Sequence, residues 1–231
     1  MKKMLVLGTE LKDYSVRESM RMVDAFLQDA KVNTVSFLTM DVLMNAAEDE
    51  DLRTYLSSMD LCVPVSVEIL QAAGIGGRGR LAEVEEGRFY TELMKKLSEE
   101  RRSAFLLTQK ESSVEEITQD LKEIAPGLTI TGSYAYENLT GDQDVIVNEI
   151  NSTFSDVVLS ALPTPLQEQF AYENKTKLNA RMWVSVREGC IRQDQKKPSA
   201  LERLRQWIQK KLFRRTVLRF SDEQDHKGEN S

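Results

Sequence analysis

The stretch "DVVLSALPTPLQEQF", Asp156–Phe170, has the pattern of a complete strand–loop–helix unit. Its apolar run Val157–Ala161 predicts a strand buried on both faces, and Pro165 suits the first turn of a following helix. In an open α/β sheet, ligands bind beside the loops that follow the carboxyl ends of the strands. The stretch therefore predicts a buried strand and a ligand site, with Gln167 and Glu168 as its candidate binding residues.

The residue types of Gln167 and Glu168 leave two roles open. An amide side chain reads the edge of a nucleobase, and a carboxylate accepts hydrogen bonds from sugar or base donors. Glutamate is equally favourable in the first turn of any helix, because it lies at the positive end of the helix dipole. Ligand binding and a solvated first turn are both consistent with this pair.

Short apolar runs and longer amphipathic segments alternate along the rest of the chain. Ser15 and Glu18 have the spacing of a capping box, which predicts a helix over about 20–27. The alternation is typical of βα units, so we expect an α/β fold with a largely parallel sheet and helices on both faces. The other predicted strands are Met4–Leu7, Thr34–Leu38, Leu61–Val65, Ala104–Leu107, Leu128–Thr131 and Met182–Val186.

The composition excludes several kinds of chemistry. The one histidine, His226, lies in a polar tail, where it cannot complete a Ser-His-Asp triad, a Cys-His pair or a multi-histidine metal site. Cys62 and Cys190 lack the spacing of a zinc site or a disulfide framework. A net charge of -6 argues against a nucleic-acid partner. We therefore expect no metal and no nucleic acid, and an enzyme of this sequence must use carboxylates, amides, hydroxyls and arginines.

The hydropathy pattern bears on the cellular setting. The apolar run at the start of the chain breaks after a few residues, which argues against a signal peptide. No stretch approaches the roughly 20 apolar residues of a membrane-spanning helix. We expect a protein of the bacterial cytoplasm or of its membrane surface.

The chain changes character near Cys190. The pattern predicts an α/β domain over 1–190, a basic amphipathic helical appendage over 191–220 and a polar, disordered tail over 221–231. Two interpretations of the appendage are open: its apolar stripe packs on the domain, or it lies on an anionic membrane with Trp207 and Phe213 at the interface. The stripe at helical spacing consists of Leu201, Leu204, Ile208 and Leu212.

Two other motifs favour ordinary structural roles. The stretch "GIGGRGR", Gly74–Arg80, formally contains the glycine spacing of a dinucleotide-binding loop. A helix-like segment rather than a strand precedes it, so we interpret it as a flexible basic loop. Ser66 and Glu68 have the pattern of an ordinary helix start, although a carboxylate at that place is also a candidate base.

Four longer segments occur in a characteristic order: "VLGTELKDYSVRESM", "LTMDVLMNAAEDEDLRTYLSSMDLCVPVSVEIL", "PGLTITGSYAYEN" and "INSTFSDVVLSALPTPLQEQFAYEN". In this order they resemble the landmarks of the WecG/TagA/CpsF family of bacterial glycosyltransferases. The second segment is similar to the family's TPN segment and PDG strand. The fourth is the closest match, because it contains the counterpart of the family's PKQE loop. The likeness extends to about Phe220.

The resemblance implies a Rossmann-like α/β enzyme at the inner face of the cell membrane, cytoplasmic and peripheral. Such an enzyme transfers an N-acetylhexosamine from a UDP-sugar to a lipid-linked acceptor, in the assembly of teichoic-acid linkers or other surface polysaccharides. The UDP-sugar is a substrate, so no cofactor is implied. Gln167, Glu168 and Thr39 are the implied donor-binding residues. The implied membrane or acceptor contacts in the appendage are Arg203, Trp207, Lys210, Lys211, Arg214 and Arg215.

The chain departs from the family pattern at the positions that carry chemistry. The aspartate of PDG, the expected base, falls on Val65, and the lysine of PKQE falls on Leu166. Loss of a general base typically slows a reaction about 10²–10⁴-fold. Two functions are therefore open: a divergent transferase, or a non-catalytic relative that binds the membrane and regulates an active paralogue. A homo-oligomer is a further expected partner arrangement.

Overall fold

A computed structural model describes residues 2–186 and 200–228, with side chains described for 3–186 and 205–220. It confirms the α/β class: six strands form an all-parallel sheet in the order β4-β3-β8-β7-β5-β6, and two form a separate hairpin. The strands are β1 (Lys2–Val6), β2 (Thr9–Asp13), β3 (Asn33–Leu38), β4 (Leu61–Pro64), β5 (Ser103–Thr108), β6 (Thr129–Ala135), β7 (Val157–Ala161) and β8 (Met182–Ser185). The helices are α1 (Val16–Phe26), α2 (Met40–Glu48), α3 (Glu50–Ser57), α4 (Val67–Ala72), α5 (Arg78–Glu85), α6 (Arg88–Glu99), α7 (Glu111–Ile124), α8 (Asp144–Ser152), α9 (Leu166–Asn174) and α10 (Ala200–Gly228).

Helices cover both faces of the parallel sheet, as predicted. All five residues of β7 are buried, which is the burial that its continuous apolar run predicts. Helices α1, α6 and α7 share one core cluster with alternate strand residues. Helices α8 and α9 share another cluster on the opposite face, where the Phe170 and Trp183 rings stack 5.2 Å apart.

The first predicted strand does not belong to the parallel sheet. Met4–Leu7 lies in the antiparallel hairpin β1–β2, and the prediction missed the second strand, Thr9–Asp13. Leu7 and Gly8 form its two-residue turn with φ values of 49° and 76°, the positive pair that a type I′ turn requires. The hairpin packs one face on α2 and α4, which leaves Leu5 exposed in the middle of the apolar run.

The described part of the C-terminal helix packs on the domain. Phe213 is 1% exposed, and Val217 and Phe220 accompany it in the cluster formed by the hairpin, α2 and α4. The predicted stripe does not pack on the domain in its described part, because Ile208 and Leu212 are exposed. Phe213, expected at a membrane interface, is buried instead. The side chains of Leu201 and Leu204 lie outside the described residues.

The structure tests the predictions for two local motifs, the capping box and the glycine-rich stretch. The capping box at Ser15 and Glu18 is confirmed at the start of α1. Of the glycine-rich stretch, only 74–77 is loop, because Arg78 begins α5. Arg80 pairs with Asp13 of the hairpin at 2.9 Å, so this part of the stretch has a structural contact.

None of the described helices has an apolar stretch long enough to cross a bilayer.

Candidate substrate cleft

A cleft of about 750 Å³ opens at the carboxyl edge of the parallel sheet. The chain leaves β3 toward β4 and leaves β5 toward β6, in opposite directions along the sheet. Such a divergence separates the following helices and leaves a crevice between them, which is where ligands bind in open α/β folds. The cleft is lined by Thr39, Asp41, Val42, Asn45, Gln109, Lys110, Ser112, Ser113, Ala161, Leu162, Pro163 and Thr164.

The first wall of the cleft is the start of α2. Thr39 caps this helix by accepting a hydrogen bond from the Val42 amide at 3.3 Å. Asp41 and Asn45 are four residues apart and therefore lie on the same side of α2, toward the cleft. This wall offers a hydroxyl, a carboxylate and an amide, the groups that bind sugar hydroxyls.

The second wall is the start of α7, a helix of 14 residues. Lys110 is its N-cap residue. The Thr108 hydroxyl donates to the Lys110 carbonyl at 2.9 Å and fixes the turn into the helix. The Glu111 amide donates to Glu137 Oε1 at 2.7 Å, and the Ser113 amide donates to the Lys110 carbonyl at 3.1 Å. The positive end of the helix dipole, the lysine and the hydroxyls of Ser112 and Ser113 remain as groups that suit a phosphate.

The third wall is the loop after β7, with Gln167 and Glu168 behind it. Both residues are buried and neither lines the cleft. Thr164 links them to it: its hydroxyl donates to Glu168 Oε1 at 3.3 Å, and Gln167 Nε2 donates to the same oxygen at 3.0 Å. Burial raises the pKa of Glu168, only partly offset by these hydrogen bonds.

A row of small polar side chains crosses the buried face of the sheet. Cys62, Ser36, Ser185 and Ser160 are in register on four adjacent strands. Burial raises the pKa of the Cys62 thiol to about 12, and the negative charge of Glu168 adds to this rise, which places Glu168 near the Cys62 end of the row. In this row and in the Gln167-Glu168 pair, four buried oxygens make no hydrogen bond within the described residues: Ser36 Oγ, Ser160 Oγ, Gln167 Oε1 and Glu168 Oε2.

The residue at the position of the expected base, Val65, has an aliphatic side chain that cannot accept a proton. Val65 packs against the core cluster beneath α1 and α6. Glu68, the candidate replacement, is 6% exposed and does not line the cleft. Its carboxylate pairs with Lys210 of α10 at 2.9 Å. The carboxylate at the start of α4 thus connects the domain to the C-terminal helix.

Helix α10 contacts the domain with two successive residues, the first of which reaches the cleft. Gln209 Nε2 donates to Asp41 Oδ2 at 3.1 Å, and Lys210 pairs with Glu68. Trp207 is 58% exposed on the outer side of the helix, with the Lys211 ammonium 5.0 Å from its ring centroid. Arg214 and Arg215 are exposed as well, and the side chain of Arg203 lies outside the described residues.

The structure brings Thr39 into the cleft and places Gln167 and Glu168 behind its wall. Sequence reasoning missed Asp41, which stood among scattered acidic residues, and also Asn45. Their four-residue spacing after the Thr39 cap was the available signal. Lys110 also lines the cleft, but a polar stretch after a strand is equally typical of a solvated loop, so the sequence alone did not select this residue.

The fold and the cleft define a Rossmann-like α/β protein with a cleft at the carboxyl edge of its parallel sheet. The model of the family described as "Glycosyl transferase WecG/TagA/CpsF family" matches residues 4–190. The chain therefore belongs to this glycosyltransferase family, as the sequence resemblance predicted. No curated protein matches the chain.

Proposed function

We propose that this protein binds a UDP-N-acetylhexosamine in the cleft and transfers the sugar to a lipid-linked acceptor in surface polysaccharide or teichoic-acid-type assembly. The observation that carries the proposal is the pairing of the two cleft walls. One wall, at the start of α7, suits a diphosphate, and the other, at the start of α2, suits a sugar. The family supports the reaction class, because its members are glycosyltransferases.

The proposed donor lies across the cleft, with its diphosphate at Lys110 and the positive end of the α7 dipole. Its sugar lies against Thr39 and Asn45 of the opposite wall. Gln167 and Glu168 support the donor from behind, because Glu168 orients the Thr164 hydroxyl. No metal is required in this arrangement, since the lysine and the helix dipole supply positive charge.

A ligand titration of Lys110→Ala tests donor binding. We expect UDP to raise the Tm of the wild-type protein, with a stabilisation of about 2.7 kcal/mol at a ligand concentration 100 times the Kd. Removing a charge-assisted hydrogen bond costs about 1.5–3 kcal/mol, so Lys110→Ala should weaken UDP binding roughly 10-fold or more.

Lys31→Ala is the matched control, because Lys31 is an exposed lysine before the amino end of β3. It should bind UDP as the wild type does. Absence of a Tm shift at millimolar UDP, or equal shifts for all three proteins, contradicts donor binding at this wall.

We propose that the outer side of α10 holds the protein at an anionic membrane. Trp207, Ile208, Leu212 and Leu218 are exposed there beside cations, a combination that suits the interface between headgroups and acyl chains. Phe213 is not part of this surface. The proposed contacts are Trp207, Lys211, Arg214 and Arg215, with Lys210 near the acceptor.

Charge removal on α10 tests the membrane role. Each cation near an anionic surface contributes about 1 kcal/mol, so replacing Lys211, Arg214 and Arg215 by glutamine should weaken vesicle binding on the order of 100-fold. The control replaces three exposed lysines elsewhere, Lys31, Lys95 and Lys122. Vesicle binding that persists when Lys211, Arg214 and Arg215 are replaced, or that does not depend on anionic lipid, contradicts the membrane role of α10.

The packing of Val65 favours a second candidate function. A valine that packs against the core at the position of the expected base suits a non-catalytic relative that binds the donor, the membrane or an active paralogue. Binding of UDP without sugar transfer, together with a stable complex with an active family member, supports this function. Transfer by the purified chain alone excludes it.

A further inference from the structure

Asn45 lies at a place in α2 that local structure does not explain. Asparagine is a weaker helix former than most residues, because its side chain competes with the backbone for hydrogen bonds. Asn45 is nevertheless exposed inside the helix, away from the ends where an asparagine acts as a cap. Within the described residues its carboxamide makes no hydrogen bond that would offset this cost. Residues that break a local rule without a structural gain are expected at functional sites.

The carboxamide of Asn45 forms part of the cleft wall at the start of α2. The other two polar side chains of this wall have structural contacts. Thr39 accepts a hydrogen bond from the Val42 amide at 3.3 Å, and Asp41 accepts one from Gln209 of α10 at 3.1 Å. Asn45 therefore offers the cleft a carboxamide with both a donor and an acceptor.

An apolar side chain lies beside this carboxamide. Val42 precedes Asn45 by three residues, so the two are neighbours on the surface of the helix, and both line the cleft. A donor, an acceptor and an apolar contact side by side match an acetamido group, which has a carbonyl, an N–H and a methyl group. A sugar hydroxyl has neither the carbonyl nor the methyl group, so it uses only part of this surface.

We propose that Asn45 determines the specificity of this protein for N-acetylated sugars by binding the acetamido group of the donor. The inference rests on the proposed function, which places the sugar of the donor against α2. Asn45 Oδ1 accepts a hydrogen bond from the acetamido N–H, and Nδ2 donates to the acetamido carbonyl. The methyl group contacts Val42. The diphosphate at Lys110 is common to all UDP-sugars, so it does not contribute to this choice.

Calorimetric titration with three ligands tests the inference and requires no catalysis. The ligands are UDP, UDP-glucose and UDP-N-acetylglucosamine, and the two UDP-sugars differ only in the group on the second carbon of the sugar. We expect the wild type to bind UDP-N-acetylglucosamine about 10-fold more tightly than UDP-glucose, because hydrogen bonds and a methyl contact are gained. Asn45→Ala should bind the two UDP-sugars within about twofold of each other and should bind UDP as the wild type does.

The stability of the ligand-free variant separates recognition from a structural role. Alanine is the stronger helix former, so the Tm of Asn45→Ala should equal or exceed that of wild type. A lower Tm means that Asn45 stabilises the fold, which contradicts the inference. Gln119→Ala is the matched control, because Gln119 is an exposed amide residue on α7 that does not line the cleft. It should keep the wild-type preference between the two UDP-sugars.

Two results of the titration overturn the inference. One is a wild-type protein that binds UDP but does not prefer UDP-N-acetylglucosamine to UDP-glucose. The other is a preference that persists in Asn45→Ala. Absence of UDP binding in the wild type contradicts the proposed function itself, which distinguishes the two failures.

Discussion

Glu168 has no exposed surface, yet its position after a strand had suggested direct contact with a ligand. Its carboxylate accepts hydrogen bonds from Thr164 and Gln167 through one oxygen, and the other oxygen has no partner within the described residues. An ionised carboxylate is costly in such a place, which is why burial raises its pKa. The neutral acid is therefore favoured in the folded state over a wider pH range than in the unfolded chain.

This raised pKa predicts the pH dependence of Glu168→Gln. Between the unfolded and the folded pKa the native state holds the extra proton, so wild-type stability falls as pH rises through that window. Glutamine has no charge to bury and keeps an oxygen for both donors. We expect the variant to gain stability relative to wild type as pH rises above about 4.5, measured by urea unfolding at several pH values.

Glu92→Gln is the comparison, since Glu92 is exposed on α6. Its unfolding free energy should follow that of wild type at each pH. A Glu168→Gln variant that is destabilised equally at every pH contradicts a protonated, buried Glu168.

For Gln167 and Glu168, the sequence predicted their place after a buried strand but did not predict that their side chains are buried. The loop and the Gln167-Glu168 pair follow from Pro165 and the apolar run before it. Whether a first-turn side chain faces the cleft or the sheet depends on how α9 is rotated, and the Phe170–Trp183 stack fixes that rotation. This stack joins residues 13 apart in sequence, on separate elements. The local pattern therefore gave no information about it.

Among the elements, α10 differs most from its sequence-based expectation. Two interpretations were open, packing on the domain or lying on a membrane, and the described part of the helix packs through Phe213, Val217 and Phe220. The pattern identified a helix, but the apolar stripe that it indicated is not the face that packs on the domain. Several apolar residues are distributed around its circumference, so periodicity alone does not select the face that the hairpin, α2 and α4 contact.

The docking of α10 predicts the effect of Phe213→Ala. Truncating a buried phenylalanine lowers the free energy of unfolding by about 3–5 kcal/mol, and a peripheral helix unfolds locally before the core does. Amides in residues 205–220 should therefore exchange much faster in the variant, with those of β5 and β7 unchanged. Hydrogen exchange followed by mass spectrometry measures this difference.

Leu218→Ala serves as the control, because Leu218 is exposed on the same helix. It should leave exchange in residues 205–220 as in wild type. Unchanged exchange in Phe213→Ala contradicts docking through this side chain.

The hairpin is a second element whose place in the fold the sequence pattern did not predict correctly. The continuous apolar run at Met4–Leu7 indicated a strand of the parallel sheet, but Leu5 is exposed. The alternative signal was the Leu7-Gly8 turn followed by alternating residues in Thr9–Asp13, which is typical of a hairpin. A glycine at the second turn position permits the positive φ, so the turn chemistry was more informative than hydropathy.

For the whole molecule, the regular alternation of strands and helices was sufficient to predict a parallel α/β sheet with helices on both faces. It did not give the strand order, because long-range pairings such as β3 with β8 join segments about 150 residues apart. The order is what creates the cleft, since β3 and β5 send the chain in opposite directions on either side of β8 and β7. Asp41 and Lys110 consequently line one cleft although 69 positions separate them in the sequence.

The central claim is that this cleft, at the divergence of β3 and β5, binds a UDP-sugar. Amide hydrogen exchange with and without saturating UDP tests it most directly, because it reports where the ligand binds as well as whether it binds. We predict slower exchange at the starts of α2 and α7 and in the loop 162–165, with little change in the hairpin or α8. Unchanged exchange at all three cleft walls, or protection confined to another part of the molecule, would contradict the claim.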